Sequence, residues 1–184
     1  MIRFLVVFAV IAVAVTAWSA SMEGKSDTPA DPSRMSSCPL HAQHMKEDAA
    51  RCDKKFAEMK ERGALSMAFD QEKTRHHFRK LAGGGMIEVT VKDPSDAKDL
   101  AAVRRHLRHI ADQFAQGNFS GPLATHGEMP AGAAEMQRLK SKIAYSYEDL
   151  PQGARVNISS KDPEALKAVH AFLDYQISEH RTGD

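Results

Sequence analysis

Two stretches of the chain alternate between apolar and polar positions in the same way, and each predicts a pair of β-strands. The first, residues 74–92, alternates on both sides of a triple-glycine turn, and the second, residues 143–160, on both sides of a Pro-Gln-Gly turn. The apolar pair that flanks each turn has the same spacing of nine residues: Phe78 with Ile87, and Tyr147 with Val156.

A helical pattern follows each predicted hairpin. Over residues 95–116 the apolar positions recur every three to four residues, with Ser95 placed to cap the start and Gly117 to end the helix. The expected buried positions are Leu100, Val103, Leu107, Ile110 and Phe114 in this helix, and Leu166, Val169, Leu173 and Ile177 in the last one. The second copy is three residues shorter between strand and helix.

The repeated pattern predicts a duplicated β-β-α unit over residues 64–184. Strands with one apolar face pair into antiparallel sheets, and the helices must bury their own apolar stripes. We therefore expect an α+β fold: a four-stranded antiparallel sheet with helices packed on one face. Residues 117–135 carry four glycines and two prolines and are predicted to form a long loop.

The first 63 residues divide into three segments. Residues 1–20 have one positive charge, a short apolar run and a small-residue cleavage site, which is typical of a signal peptide. Because that run is shorter than a membrane span, no stable membrane insertion is expected after cleavage. Residues 21–37 have the composition of a flexible linker, and an amphipathic helix is predicted within residues 38–63, ending before Gly63.

This N-terminal helix has one stripe rich in sulfur and imidazole. The stripe contains Cys38, His41, Met45, Cys52, Phe56 and Met59. It suits docking on the core, or binding of Cu(I), which prefers thiolate and thioether ligands. A Cys38–Cys52 disulfide would need the helix to break, because fourteen helical residues span about 21 Å and bridged Cα atoms lie within about 7 Å. Both the disulfide and free thiols stay open.

The net charge of the chain without residues 1–20 excludes one class of partner, nucleic acid. Removing residues 1–20 removes Arg3 from the 25 basic residues, which leaves 24 basic against 24 acidic side chains. A neutral chain has no electrostatic footprint for nucleic acid. The sequence also lacks the G-x-S-x-G, H-E-x-x-H, C-x-x-C and Walker patterns, so a nucleophilic enzyme is disfavoured.

Histidine is the remaining candidate chemistry. His106 and His109 are three residues apart on the first helix of the repeat, and His76 lies on the strand face expected to look toward that helix. Imidazole is the commonest transition-metal ligand, so we expect a metal site formed by His76, His106 and His109. His126, from the predicted loop, would be the fourth ligand, and Glu128 lies near it. Affinity should fall below about pH 6.5, where protons compete for imidazole.

The second copy carries Tyr145 and Phe172 where the first carries His76 and His106, which favours a single site. His77 should face the opposite side of the sheet, and His180 is interpreted as structural. Histidine also ligates haem iron, so a bare ion and a haem both remain open.

Four segments resemble small, histidine-rich exported bacterial proteins of uncharacterised function: TRHHF, HLRHIADQF, THGEMPAG and VHAFLDYQISEHRTGD. The resemblance covers about residues 65–184 and implies no activity. From the residues themselves we expect an exported metal-binding protein, with copper first and zinc second. The alternatives are a module that binds a small non-metal ligand and, third, a metal-dependent enzyme with Glu128 as base.

Overall fold

The structure, a computed structural model, describes residues 39–184, with side chains described from residue 45 onward. The predicted signal peptide and linker lie outside these residues. The elements in chain order are α1 (Pro39–Met67), β1 (Thr74–Leu81), β2 (Gly84–Val91), α2 (Ala97–Ala115), α3 (Ser120–His126), α4 (Ala133–Arg138), β3 (Ile143–Leu150), β4 (Gly153–Ser160) and α5 (Pro163–His180). Two short 3-10 turns, Gln71–Lys73 and Lys140–Lys142, precede the two hairpins.

The predicted α+β fold is confirmed. The strands form one antiparallel sheet in the order β1-β2-β4-β3. Apolar side chains of all four strands face the helices, and the register aligns Phe78 with Ile87, Ile87 with Val156, and Val156 with Tyr147 across the sheet. None of the described helices is long and apolar enough to cross a membrane.

The duplication is visible in the backbone as well as in the pattern. β3 and β4 begin 69 residues after β1 and β2. Gly84 and Gly153, the equivalent glycines, begin the second strand of each copy, and a Cβ on either would lie 1.9 Å from the backbone oxygen of Ile158 or Val89. Val89 and Ile158, which carry these oxygens, also occupy equivalent positions in the two copies. Each copy therefore needs glycine for the same close approach of two strands.

The two long helices of the repeat exchange places over the sheet. α2 packs mainly on β3 and β4, whereas α5 packs mainly on β1 and β2. Each helix thus covers chiefly the hairpin of the other copy. The core lies between this helical layer and the sheet, and its largest fully buried side chains include Phe114, Phe172, Leu107 and Leu173.

Three local predictions were wrong. α1 runs through Gly63 to Met67, and Gly63 is there for packing, because a Cβ would lie 2.7 Å from Met67 Cε and 2.9 Å from Gln71 Nε2. Asp96, not Ser95, caps α2, since Ser95 bonds back to Asp93. The expected loop over residues 117–135 contains α3 and the start of α4.

Candidate functional site

A cavity of about 170 Å³ lies between the sheet, α2 and α3. Five histidines line it, among mostly apolar neighbours: His76, His106, His109, His126 and His180. The apolar lining includes Met67, Phe78, Ile87, Val89, Leu107, Ile110, Phe114 and Phe172. The four histidines predicted as metal ligands therefore line one cavity.

Three of these histidines contact one another through their rings. His76 of β1 stacks against His180 at the end of α5, with centroids 5.6 Å apart. His180 in turn meets the edge of His126, at 5.2 Å. Phe78 packs against His180 at 5.1 Å. The cluster His76–His180–His126 joins residues from β1, α3 and α5.

His106 and His109 occupy the other side of the cavity and differ in exposure. The His106 side chain turns inward and meets the edge of Phe69, with centroids 5.5 Å apart. Phe69 also stacks on His76, at 5.9 Å, so one aromatic ring contacts both imidazoles. His109 is exposed at the cavity mouth. The two predicted ligands of α2, His106 and His109, thus lie inside the cavity and at its mouth, respectively.

Buried ring nitrogens in the cluster lack hydrogen-bond partners. Nε2 of His76 and Nδ1 of His126 are both buried and unpaired. The other nitrogen of His126, Nε2, lies 3.2 Å from Oε1 of Gln176. An unpaired buried polar atom costs about 1–3 kcal/mol, so each of these nitrogens is a position where a ligand would stabilise the fold.

The cavity favours the neutral form of His76, His106, His126 and His180. Burial and, to a lesser extent, the repulsion of neighbouring histidines together lower the pKa of His76 and of His106 to about 4. Burial also lowers the pKa of His180 to about 3. For His126 burial lowers the pKa, and the hydrogen bond with Gln176 opposes the effect. Neutral imidazole is the form that binds metal ions.

His126 is not on an open loop, contrary to the prediction. It ends α3 and only 4% of the residue is exposed. Arg62 of α1 holds this end of the helix by donating to the carbonyl oxygens of Thr125 and His126, at 2.9 and 3.1 Å. Cations favour helix C-termini, where carbonyl oxygens lack intrahelical partners.

Glu128 is part of a surface network rather than of the cavity. Its Oε1 accepts hydrogen bonds from Lys55 Nζ at 3.0 Å and from the Tyr175 hydroxyl at 2.9 Å. These two bonds hold the pKa of Glu128 below its usual range. A carboxylate that is paired and ionised in this way is a poor general base, because its proton affinity is reduced.

His180 is the cluster member that the sequence does not place beside the predicted ligands. The sequence indicates a structural role for it, and the structure places its ring against His76 and His126. Its position four residues after Gln176 on the apolar stripe of α5 was a usable signal. The position of His180 depends on tertiary packing, because His180 lies over β1 only when α5 covers the hairpin of the other copy.

The sulfur stripe of α1 does not line the cavity as far as it is described. Cys38 and the side chain of His41 lie outside the described residues. Met45 is 59% exposed and Cys52 is an exposed free thiol, whereas Met59 is buried. His77 projects from the opposite face of the sheet, where Nδ1 lies 2.9 Å from Asp184 Oδ1.

Across the described part of the chain, no three His, Cys, Asp or Glu side chains are already arranged to hold a metal ion. A metal in the cavity would need its ligands to turn. In comparisons with known proteins, the chain matches no family model, no curated sequence and no solved structure. The resemblance to histidine-rich exported proteins therefore stays a prediction.

Proposed function

We propose that this chain is an exported metal-binding protein that holds copper, as Cu(I), between neutral imidazoles of the cavity. Its role is binding, buffering or delivery rather than turnover, and zinc is the second choice of metal. The observation that carries the proposal is the contact of His76 with His180 inside apolar walls, beside a His76 nitrogen that has no partner. Export rests on the signal peptide predicted at residues 1–20.

The number of donors favours Cu(I) over zinc. Cu(I) is stable with two or three ligands, whereas zinc in proteins takes four, and one of them is water in open sites. His76 and His180 supply two imidazoles, and His106 supplies a third if Phe69 moves from between them. Two or three imidazoles complete the coordination of Cu(I), so the cavity suits the ion with the lower coordination number.

A bare ion fits better than haem. The cavity measures about 170 Å³, close to the engineered cavity of about 150 Å³ that accommodates benzene. A porphyrin is several times larger than benzene. Haem would therefore require α2 and the sheet to separate, at the cost of core contacts such as Leu107 and Phe114.

The same volume favours a second candidate function, the binding of a small aromatic molecule. The cavity is already formed, mostly apolar, and bordered by the unpaired nitrogens of His76 and His126. A benzene-sized ring with one hydroxyl or amino group would fill the space and satisfy one of them. This ligand would use a volume that is already present, whereas the metal would need its ligands to turn.

One experiment separates the two candidates. The protein is purified from the exported fraction without chelators, and its metal content and copper X-ray absorption spectrum are measured. The proposal predicts copper near one equivalent, bound as Cu(I) by two or three nitrogens and no sulfur. Sulfur donors would assign the metal to the α1 stripe instead. A protein that takes up no Cu(I), but whose melting temperature rises with phenol or aniline, would support the second candidate.

A further inference from the structure

Two carboxylates from separate elements converge on one ammonium group beside the histidine cluster. Lys55 Nζ of α1 lies 3.0 Å from Glu128 Oε1 and 3.2 Å from Glu179 Oε1. The Tyr175 hydroxyl donates to the same Glu128 oxygen, at 2.9 Å. A single cation position is thus defined by residues from the turn after α3 and from α5.

A buried imidazole nitrogen lies beside the same Glu179 carboxylate. Nδ1 of His126 lies 4.0 Å from Glu179 Oε2, the carboxylate oxygen that Lys55 does not contact. Only 1% of the His126 side chain is exposed, and this nitrogen has no hydrogen-bond partner. The separation is too long for a hydrogen bond. The nitrogen and the carboxylate therefore face each other without being joined.

The partner of the other ring nitrogen indicates what belongs between them. With Nε2 assigned as the donor to Gln176 Oε1, Nδ1 carries a lone pair that faces a carboxylate oxygen. Two acceptors in this arrangement repel each other, and a cation between them would turn the repulsion into attraction. Metal-binding histidines characteristically donate their second N–H to an oxygen in this way, which fixes the ring.

We propose that His126 Nδ1, Glu179 and Glu128 form a second metal site, for a divalent cation of the zinc class, and that Lys55 occupies it in the metal-free protein. The mixed nitrogen and oxygen donors distinguish it from the all-imidazole copper cavity. Ligands about 2.1 Å from a tetrahedral zinc lie about 3.4 Å apart, so the His126–Glu179 pair must close by about 0.6 Å. Water takes the remaining position.

Lys55 has a defined role in this proposal. Its ammonium supplies the positive charge that the two carboxylates need when no metal is bound. The side chain is 45% exposed, so it can turn into solvent when zinc arrives. Zinc must displace it, and Lys55 therefore weakens zinc binding. A variant without this charge should bind zinc more tightly than the natural chain.

The test is a Zn²⁺ titration of the full protein against a chromophoric chelator. Lys55→Met should tighten zinc binding by about tenfold, equivalent to about 1.4 kcal/mol. Lys54→Met is the matched control, because Lys54 is a neighbouring α1 lysine paired with Glu58 at 3.8 Å, and it should change nothing. Adding Glu179→Gln to Lys55→Met should abolish the gain while preserving the shape of the side chain.

The proposals of the second site and of the copper cavity can be contradicted independently. Glu179→Gln should leave Cu(I) binding unchanged, and His76→Ala should leave the zinc affinity of Lys55→Met unchanged. If Lys55→Met binds zinc no better than the natural chain, or if Glu179→Gln does not reverse the gain, the second site is wrong. Loss of zinc binding in His76→Ala would also overturn it, because zinc would then occupy the cavity.

Discussion

The ring of His76 lies almost parallel to the ring of His180, at an angle of 18° and with centroids 5.6 Å apart, although the two residues belong to different copies of the repeat. Their contact follows from the exchange of α2 and α5 over the sheet. If each helix covered its own hairpin, His76 would meet α2 and its His106 instead. The geometry of the site is thus a consequence of how the two copies are interlocked.

The half-buried histidines of the cavity should make the metal-free protein less stable as the pH falls. His76, His106 and His180 have folded pKa values of about 4, 4 and 3, below the unfolded value of about 6.5. Stability is therefore complete above about pH 6.5 and is lost as the pH falls from there toward 4, because only the unfolded chain takes up protons. One histidine can contribute a slope of at most roughly 1.4 kcal/mol per pH unit in this window.

Urea unfolding at pH 7.5, 6.5, 5.5 and 4.5 measures this effect. His180→Phe, which keeps an aromatic ring and removes the titrating group, should have a flatter profile than the natural protein. Equal stability at pH 7.5 and 4.5 would show that these histidines are protonated at no cost, and would contradict their burial.

Copper affinity should depend on pH differently from the expectation drawn from the sequence. An ordinary imidazole loses metal below about pH 6.5. With the pKa values of His76 and His106 at about 4, protons do not compete until the pH is far lower. Cu(I) affinity should be nearly constant from pH 7.5 to 5.5 and fall only near pH 4.5. A tenfold loss between pH 7 and 6 would assign the metal to solvent-exposed histidines.

Neighbouring glycines in the first turn should differ strongly in their response to alanine. Gly84 has φ 151° and a Cβ there would lie 1.9 Å from Ile158 O. Gly84→Ala should therefore destabilise the protein by about 2 kcal/mol or more, through strain and the separation of β2 from β4. Gly83 has open space around its Cβ position, so Gly83→Ala should change stability by less than about 0.5 kcal/mol. Similar urea midpoints for both variants would mean that the strand register is different.

The sheet was predictable from the sequence because its information is local. Alternation fixes which side chains of β1 share a face, and the nine-residue spacing of Phe78 and Ile87 fixes the hairpin register. The same alternation and spacing recur around Tyr147 and Val156, which predicts the duplication. Each hairpin is predicted from fewer than about twenty residues.

The site was predictable only in part, because it depends on packing between distant segments. His76, His106, His109 and His126 were identified by residue type and face, and they do line one cavity. Periodicity cannot tell which hairpin a helix covers, so it does not place His180 beside His76. The burial of His126 was also missed, since glycine and proline in its neighbourhood suggested a loop, whereas Arg62 fixes a short helix there.

A competitive Cu(I) titration of four variants tests the central claim most directly. His76→Ala and His180→Ala should each weaken binding by at least about a hundredfold, since loss of an outer-shell partner alone costs about 10–100-fold. His77→Ala, on the opposite face of the sheet, and Cys52→Ser, on the exposed side of α1, should retain the natural affinity. If His76→Ala binds Cu(I) as tightly as the natural protein, or if His77→Ala or Cys52→Ser loses as much affinity, the metal is not held in this cavity.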